Sequence, residues 1–392
     1  MLDTFAQGLF WSGAALLAYA YGIYPLIAWL RARVWPVPLD LSGARPKSVS
    51  ALLCVRNEAA QIRRRIAELT ELIAAAGLQG EMIVVSDGST DATADVAEEL
   101  SGPSVRVVRW EENRGKAAAL THAASLAQHE ILVMADGRQT WAQDALPRLL
   151  DNFADPRVGA VSGDLSLEVR PGVLAGVGMY WRFEKWLRRQ ESLSGSQIGV
   201  TGAIAAVRRS LFRPIPRGTI LDDVYWPMQV VQQGCRVIHE ERAVAYDRLP
   251  PTARGELRRK LRTLVGNFQL AAAMPSLLLP WRNPAWLAFI SHKMLRLAAP
   301  WAMLATVGSS ALLSGAFYRV AFAAQAAALM AAICGLSTRL AARQRLLAAA
   351  GSFLLLHVAA WLAFWFWIAG GERFVWQRSQ LVGGSTDGEL EA

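Results

Sequence analysis

Four stretches of this chain carry no Asp, Glu, Lys or Arg: residues 4–30, 297–318, 320–338 and 346–371. Each is close to or above the roughly 20 residues that a helix needs to cross the hydrocarbon core of a bilayer. Lipid offers the backbone no hydrogen-bond partners, so runs of this length are committed to helix. The chain is thereby divided into apolar ends and a central segment able to fold in water. A hydrophobic content of 53% over 392 residues fits that division. The spacing predicts a transmembrane anchor over 1–33, a water-facing domain over 44–255, interfacial amphipathic helices over 256–296, three spans over 297–371 and a polar tail over 372–392. Buried core helices are the alternative for the four runs, disfavoured by their length and Trp-rich ends.

Residues 4–30 follow no basic leader and end in no small-residue cleavage site, so they are expected to remain as an anchor. Arg31 and Arg33 come directly after them, and Asp3 is the charged residue before them. The positive-inside rule then puts the amino terminus outside and the central domain in the cytosol. Arg339, Arg343 and Arg345 fit that orientation, with a tight hairpin near Arg319. Four crossings leave the tail outside, where Arg373 and Arg378 run against the rule.

The formal charge of +9 raises the question of nucleic acid. The cations concentrate at membrane ends and in residues 254–262, without interleaved base-stacking aromatics on a strand. Anionic headgroups or a phosphorylated substrate explain them better, and no nucleic-acid partner is expected. Cys54, Cys235 and Cys334 show neither disulfide nor zinc spacing.

In the central segment, residues 81–85, 104–109, 130–135 and 158–162 read as strands. Residues 63–76, 91–100 and 116–128 read as helices with apolar residues at helical spacing. The alternation predicts an α/β fold with a mainly parallel sheet and helices on both faces. In such folds ligands bind at the carboxyl ends of the strands. The run Val84-Val85-Ser86-Asp87-Gly88-Ser89-Thr90-Asp91 is a strand ending in an acidic turn of that kind. Around it, in order, stand Leu53-Cys54-Val55-Arg56-Asn57-Glu58, Asn113-Arg114-Gly115-Lys116, Met134-Ala135-Asp136-Gly137-Arg138-Gln139, Val161-Ser162-Gly163-Asp164, Thr201-Gly202-Ala203 and Leu221-Asp222-Asp223.

In this order and at these spacings the chain resembles the inverting glycosyltransferases of family 2 over roughly residues 48–267. The resemblance implies the GT-A (nucleotide-diphospho-sugar transferase) fold and direct displacement at an anomeric carbon. Such a reaction needs a base for the acceptor hydroxyl and a positive group for the departing nucleoside diphosphate. The resemblance selects Asp223 as base, with Asp222 as the preceding acid, although adjacent carboxylates also suit the start of a helix. It assigns Asn57, Glu58, Asp87 and Lys116 to the nucleotide, and Gly202 and Asp164 to the acceptor side. A lysine at a helix start is unfavourable unless an anion sits nearby, which favours a binding role for Lys116 over a merely solvated one.

Two departures stand out. The family's Asp-Xaa-Asp is here Asp136-Gly137-Arg138, so one metal-gripping carboxylate is missing. Either Asp136 holds Mg²⁺ or Mn²⁺ with water and phosphate oxygens, or Arg138 lies against the diphosphate and partly replaces the cation. The chain is similar to a membrane-anchored bacterial branch with an Asp-Ala-Arg-Gln variant and blocks like Arg259-Lys260-Leu261-Arg262-Thr263. That block stands where polymer synthases carry Gln-Xaa-Xaa-Arg-Trp. Arg262 is retained and is expected to reach the diphosphate, whereas Thr263 offers no ring to support a glycan.

Residues 180–193 and 270–281, apolar and basic but too short to span, are expected at the cytosolic interface; interdomain packing is the alternative for the aromatics. His292, Lys293 and Arg296 are expected to snorkel. The resulting expectation is an enzyme of the bacterial inner (plasma) membrane, multi-pass with a cytosolic catalytic domain. It would use a nucleotide-sugar donor, among them UDP-sugars, and a glycan or lipid-linked acceptor of exopolysaccharide or cell-envelope assembly. A transferase acting on a simple lipid is the enzymatic alternative. A degenerate scaffold is the non-enzymatic one, opposed by intact Asp87, Lys116, Asp222 and Asp223.

Overall fold

The computed structural model describes residues 2–168, 173–248, 253–337 and 344–370. The expectations for Arg339, Arg343, Arg373, Arg378 and the 372–392 tail lie outside the described residues. The eight strands are β1 (Ser48–Val55), β2 (Gln79–Asp87), β3 (Val105–Trp110), β4 (Ile131–Ala135), β5 (Thr140–Trp141), β6 (Val158–Glu168), β7 (Ile204–Arg208) and β8 (Arg236–Arg248). They form one sheet in the order β3-β2-β1-β4-β7-β6-β8-β5. β3, β2, β1 and β4 run parallel, as the alternation predicted, and β6 runs parallel to β8. β7 is antiparallel to both β4 and β6, and short β5 is antiparallel to β8, so the sheet is mixed, with most of its length parallel.

The helices are α1 (Leu2–Ala18), α2 (Tyr24–Val34), α3 (Ala59–Ala75), α4 (Thr93–Glu98), α5 (Lys116–Leu126), α6 (Ala145–Asp151), α7 (Val173–Leu193), α8 (Asp222–Gln232), α9 (Ala253–Ala273), α10 (Leu295–Leu312), α11 (Ala316–Gly335) and α12 (Arg345–Ile368). The two-residue period of β1 distributes the core. Val49, Ala51, Leu53 and Val55 face α3, α4 and α6, while Leu52 faces α5, α8 and the end of α9. Both faces are thus covered by apolar helix stripes, which a parallel sheet requires.

Three described helices are long and apolar enough to cross a membrane: Leu2–Val34, Ala316–Gly335 and Arg345–Ile368. The first includes a π-helical stretch, Tyr19–Ile23, just before Pro25, where a missing backbone donor loosens the ladder. The expected span over 297–318 does not join them. It forms the 18-residue α10, which carries Arg296 in its first turn and gives way to a break at Leu313. α10 packs on α1, where a Cβ on Gly13 would lie 2.8 Å from the Ala302 carbonyl oxygen. α11 and α12 cross at Gly335 and Gly351 so closely that a Cβ on Gly335 would overlap the Leu347 carbonyl oxygen. Small residues at such a crossing let two backbones meet, the usual means of association in lipid.

Two interfacial expectations change. Within residues 270–281, Leu270, Met274 and Leu277 are buried in the core beneath the sheet, although Trp281 is exposed. This segment packs on the water-facing domain because its apolar residues continue the stripe of α9. His292 and Arg296 do not snorkel. His292 is 2% exposed, with Nδ1 2.9 Å from Glu191 Oε1 and Nε2 2.8 Å from Glu184 Oε2, and Arg296 pairs with Glu184. Tyr24 donates to Glu191 at 2.6 Å. α7, carrying both glutamates, is thereby tied to α2 and to the approach to α10. Burial of the Glu184 and Arg296 charges is tolerable because they pair with one another.

Candidate active site

The parallel register carries the carboxyl ends of β1, β2 and β4 to one edge, since Leu53 sits beside Ala135 and Val55 beside Ser86. The residues that follow, Asn57, Asp87 and Asp136, therefore share that edge. β7 enters it from the opposite direction with Ile204 beside Ala135, which brings Gly202 against Asp136. Lys116 opens α5 after Gly115, whose φ of 93° is open mainly to glycine. Its Nζ lies 2.6 Å from Asp136 Oδ1 and 3.9 Å from Asp222 Oδ2. A Cβ on Gly202 would stand 3.1 Å from Nζ, so the glycine leaves room for the ammonium.

This cluster is strongly coupled. Burial would lower the Lys116 pKa, but the Asp136 and Asp222 carboxylates hold it above the usual lysine range. Burial, together with Asp223 and Asp136, pushes Asp222 up to about 6 despite Lys116. Unfolded, the same carboxyl releases its proton near 3.8. The stability it contributes is therefore complete below about pH 4 and lost as pH rises through 6. Asp222→Asn is expected to stabilise the fold at pH 8 by on the order of 2 kcal/mol and to have no such effect at pH 4. Thermal unfolding of the detergent-solubilised chain at both pH values checks this.

Asp87 is buried and fully engaged. It accepts from Asn113 Nδ2 at 2.8 Å and from the backbone amides of Arg114 at 2.6 Å and Gly115 at 2.8 Å. Its carboxylate thus shapes the loop that launches Lys116. Asn57, at φ 55°, accepts from the Thr90 amide at 2.8 Å, closing the β1 turn on the loop after β2. The Glu58 amide donates to Thr93 at 2.8 Å, and burial pushes its carboxyl up although Arg138 opposes this. Both line the same edge as the Lys116 cluster.

Other expected residues stand apart. Arg138 Nη2 pairs with Asp247 of β8 at 2.9 Å, where Gln139 Nε2 also donates at 2.8 Å. Asp164 pairs with Lys185 of α7 at 2.7 Å and lies 3.6 Å from His239. Arg262 is exposed. On α9 it is Arg259, Lys260, Thr263 and Asn267 that line a cavity of about 220 Å³, together with Asp223, His292, Lys293 and Arg296. Asp222 and Asp223, consecutive in the first turn of α8, therefore face different compartments: Lys116 on one side and the cavity on the other.

Sequence reasoning did not find Arg65, which is wholly buried over Trp141 and donates from Nε to the Asp136 carbonyl at 3.0 Å. A lysine or arginine on the apolar stripe of a helix is the signal that marks it. Nor did it find Lys293, Arg296 and Arg188 as cavity walls.

Residues 50–215 match the family model described as Glycosyl transferase family 2. The poly-beta-1,6-N-acetyl-D-glucosamine synthase of Staphylococcus aureus (strain COL) is 23% identical over 246 residues, which are 59% of this chain and 57% of that protein. The synthase of the same name from Staphylococcus epidermidis is 24% identical over 57% of this chain and 55% of its own length. The chain thus spans little more than half the length of these relatives. Among solved structures, a mannosyltransferase of Pyrobaculum calidifontis in complex with GDP-Man and Mn²⁺ superposes with a TM-score of 0.67 at 24% identity, covering 94% of this chain and 99% of that one. The fold is GT-A, and within it residues 50–215 are similar to the glycosyl transferase family 2 model.

Proposed function

We propose that the chain is a membrane-bound inverting glycosyltransferase. It moves a sugar from a nucleoside-diphospho-sugar, in the first instance a UDP-sugar, to a lipid-linked or glycan acceptor of bacterial exopolysaccharide or cell-envelope synthesis. The observation that carries this reading is the pair of consecutive carboxylates dividing a lysine-centred cluster from a separate cavity. Asp223 removes the proton of the acceptor hydroxyl, whose oxygen bonds to the anomeric carbon as the sugar–phosphate bond breaks. Lys116 offsets the charge of the departing diphosphate. Asp222 and Asp136 hold the ammonium in place. Thr263 gives its hydroxyl to the Arg259 carbonyl at 3.0 Å and supports no stacked sugar, so few additions per acceptor are expected.

Among the described residues no three His, Cys, Asp or Glu side chains converge as a metal cage. Asp136 offers one carboxylate whose Oδ1 is held by Lys116. That fits a cation that arrives with the donor and takes most of its ligands from diphosphate oxygens and water. Bound there, Mg²⁺ or Mn²⁺ would add to the charge compensation that Lys116 supplies. Exhaustive chelation is expected to slow turnover roughly tenfold or more, with recovery on adding Mn²⁺ or Mg²⁺. Full activity in chelator would leave Lys116 as the main counter-charge.

The reading is tested by donor-dependent release of UDP or GDP from the purified chain over a panel of nucleotide sugars; no release with any donor would overturn it. The orientation is tested separately. With Cys54, Cys235 and Cys334 replaced by Ala, a cysteine at exposed Gln7 should react with an impermeant thiol reagent on intact cells. Labelling only after permeabilisation would reverse the amino-terminal assignment.

A further inference from the structure

The cavity beyond Asp223 is lined by Arg188, Arg259, Lys260, Lys293 and Arg296 against the carboxylates of Asp223 and Glu184. Structural pairing accounts for part of this excess: Arg188 lies over the Trp181 ring at 5.7 Å, and Arg296 over the Tyr21 and Phe183 rings at 5.7 and 5.5 Å. Arg259 and Lys260 hold partners, Lys260 over the Tyr180 ring at 4.7 Å. Lys293, half-buried, has no hydrogen-bond or ion-pair partner among the described residues. Arg296 pairs with Glu184, yet its Nε and Nη2 are buried without an acceptor. Buried donors left unpaired are costly, and two neighbouring cations with open donors have an evident common partner in an anion bearing several oxygens. On the proposed reading the donor's diphosphate lies on the other side of α8, beside Lys116.

We propose that this cavity holds a phosphoryl group on the acceptor, gripped by Lys293 and Arg296, with the nucleophilic hydroxyl toward Asp223. The inference rests on the transferase reading and names the class of its acceptor. The phosphoryl group is borne by an amphiphile. The cavity wall includes Leu297 at the start of α10 and Leu356 from the middle of α12, one of the three helices apolar enough to span a bilayer. An acyl or prenyl tail leaving the cavity along Leu356 remains in apolar surroundings, whereas a small soluble phosphate makes no use of that wall.

The test uses the full chain in detergent, with Trp fluorescence reporting occupancy, since Trp181 also lines the cavity. The probes are farnesyl phosphate, farnesol and inorganic phosphate. Farnesyl phosphate is expected to bind roughly tenfold or more tightly than either other probe. Lys293→Met should erase most of that advantage and Lys293→Arg should restore it, with UDP binding within about twofold of wild type in both, which also reports that the variants fold. Equal affinity for farnesol and farnesyl phosphate, or an unchanged preference in Lys293→Met, overturns the phosphoryl site. Inorganic phosphate binding as tightly as farnesyl phosphate overturns the amphiphile. Failure of the wild-type chain to bind any nucleotide or nucleotide sugar would count against the transferase reading itself.

Discussion

Asp223→Asn is expected to lower glycosyl transfer by roughly 10²–10⁴-fold while nucleotide binding stays near wild type. The amide keeps the shape at the start of α8, and the Asp223 backbone carbonyl still accepts from the Val200 amide at 2.8 Å, so the fold around the site is retained. What disappears, on the proposed reading, is the acceptor of the hydroxyl proton. Single-turnover transfer, measured beside UDP or GDP affinity, separates the two effects. Turnover above about a tenth of wild type would move the base to another group, with Asp222 next in line.

Lys116→Met is expected to lower kcat/KM by roughly 10²–10³-fold, with much of the loss in donor KM. Its Nζ is the positive charge that Asp136 and Asp222 jointly hold, and without it these two carboxylates face one another uncompensated. A second signature follows. Lys116 holds the Asp222 carboxyl below where burial alone would leave it, so its removal should carry that group above about 6 and shift the acid limb of the pH profile upward. A variant with reduced kcat/KM but an unmoved acid limb would show that Asp222 does not report on this charge.

Much of the donor half could be read from residue order. The apolar run of β1, the β-branched run of β2 and the apolar helix stripe of α3 are local signals, and the carboxyl-edge rule then places Asp87, Asp136 and Lys116 together before any coordinate is known. β7 is less legible. Ile204-Ala205-Ala206-Val207 is short, rich in alanine, and becomes a strand because β4 and β6 flank it. The buried polar cluster was hidden for a different reason. His292 and Arg296 precede an apolar run and look like headgroup anchors, while Glu184 and Glu191, which bury them, lie far away in sequence. Arg138 was judged by its place in a motif; its partner Asp247 lies on a strand that no motif marks.

The antiparallel β7, wedged between β4 and β6, makes a seam in the sheet. Lys116 and Asp136 come from its parallel side, and the cavity is walled mostly by α7, α9 and the approach to α10. Inheritance can therefore treat the parallel strands and these helices as separate parts. On the proposed reading, drift in α9 or around Lys293 alters what receives the sugar and leaves the register of β1, β2 and β4 untouched. On the proposed reading, a lineage built on this plan can change its product by editing α7, α9 and the Lys293 region together, since all three line the cavity.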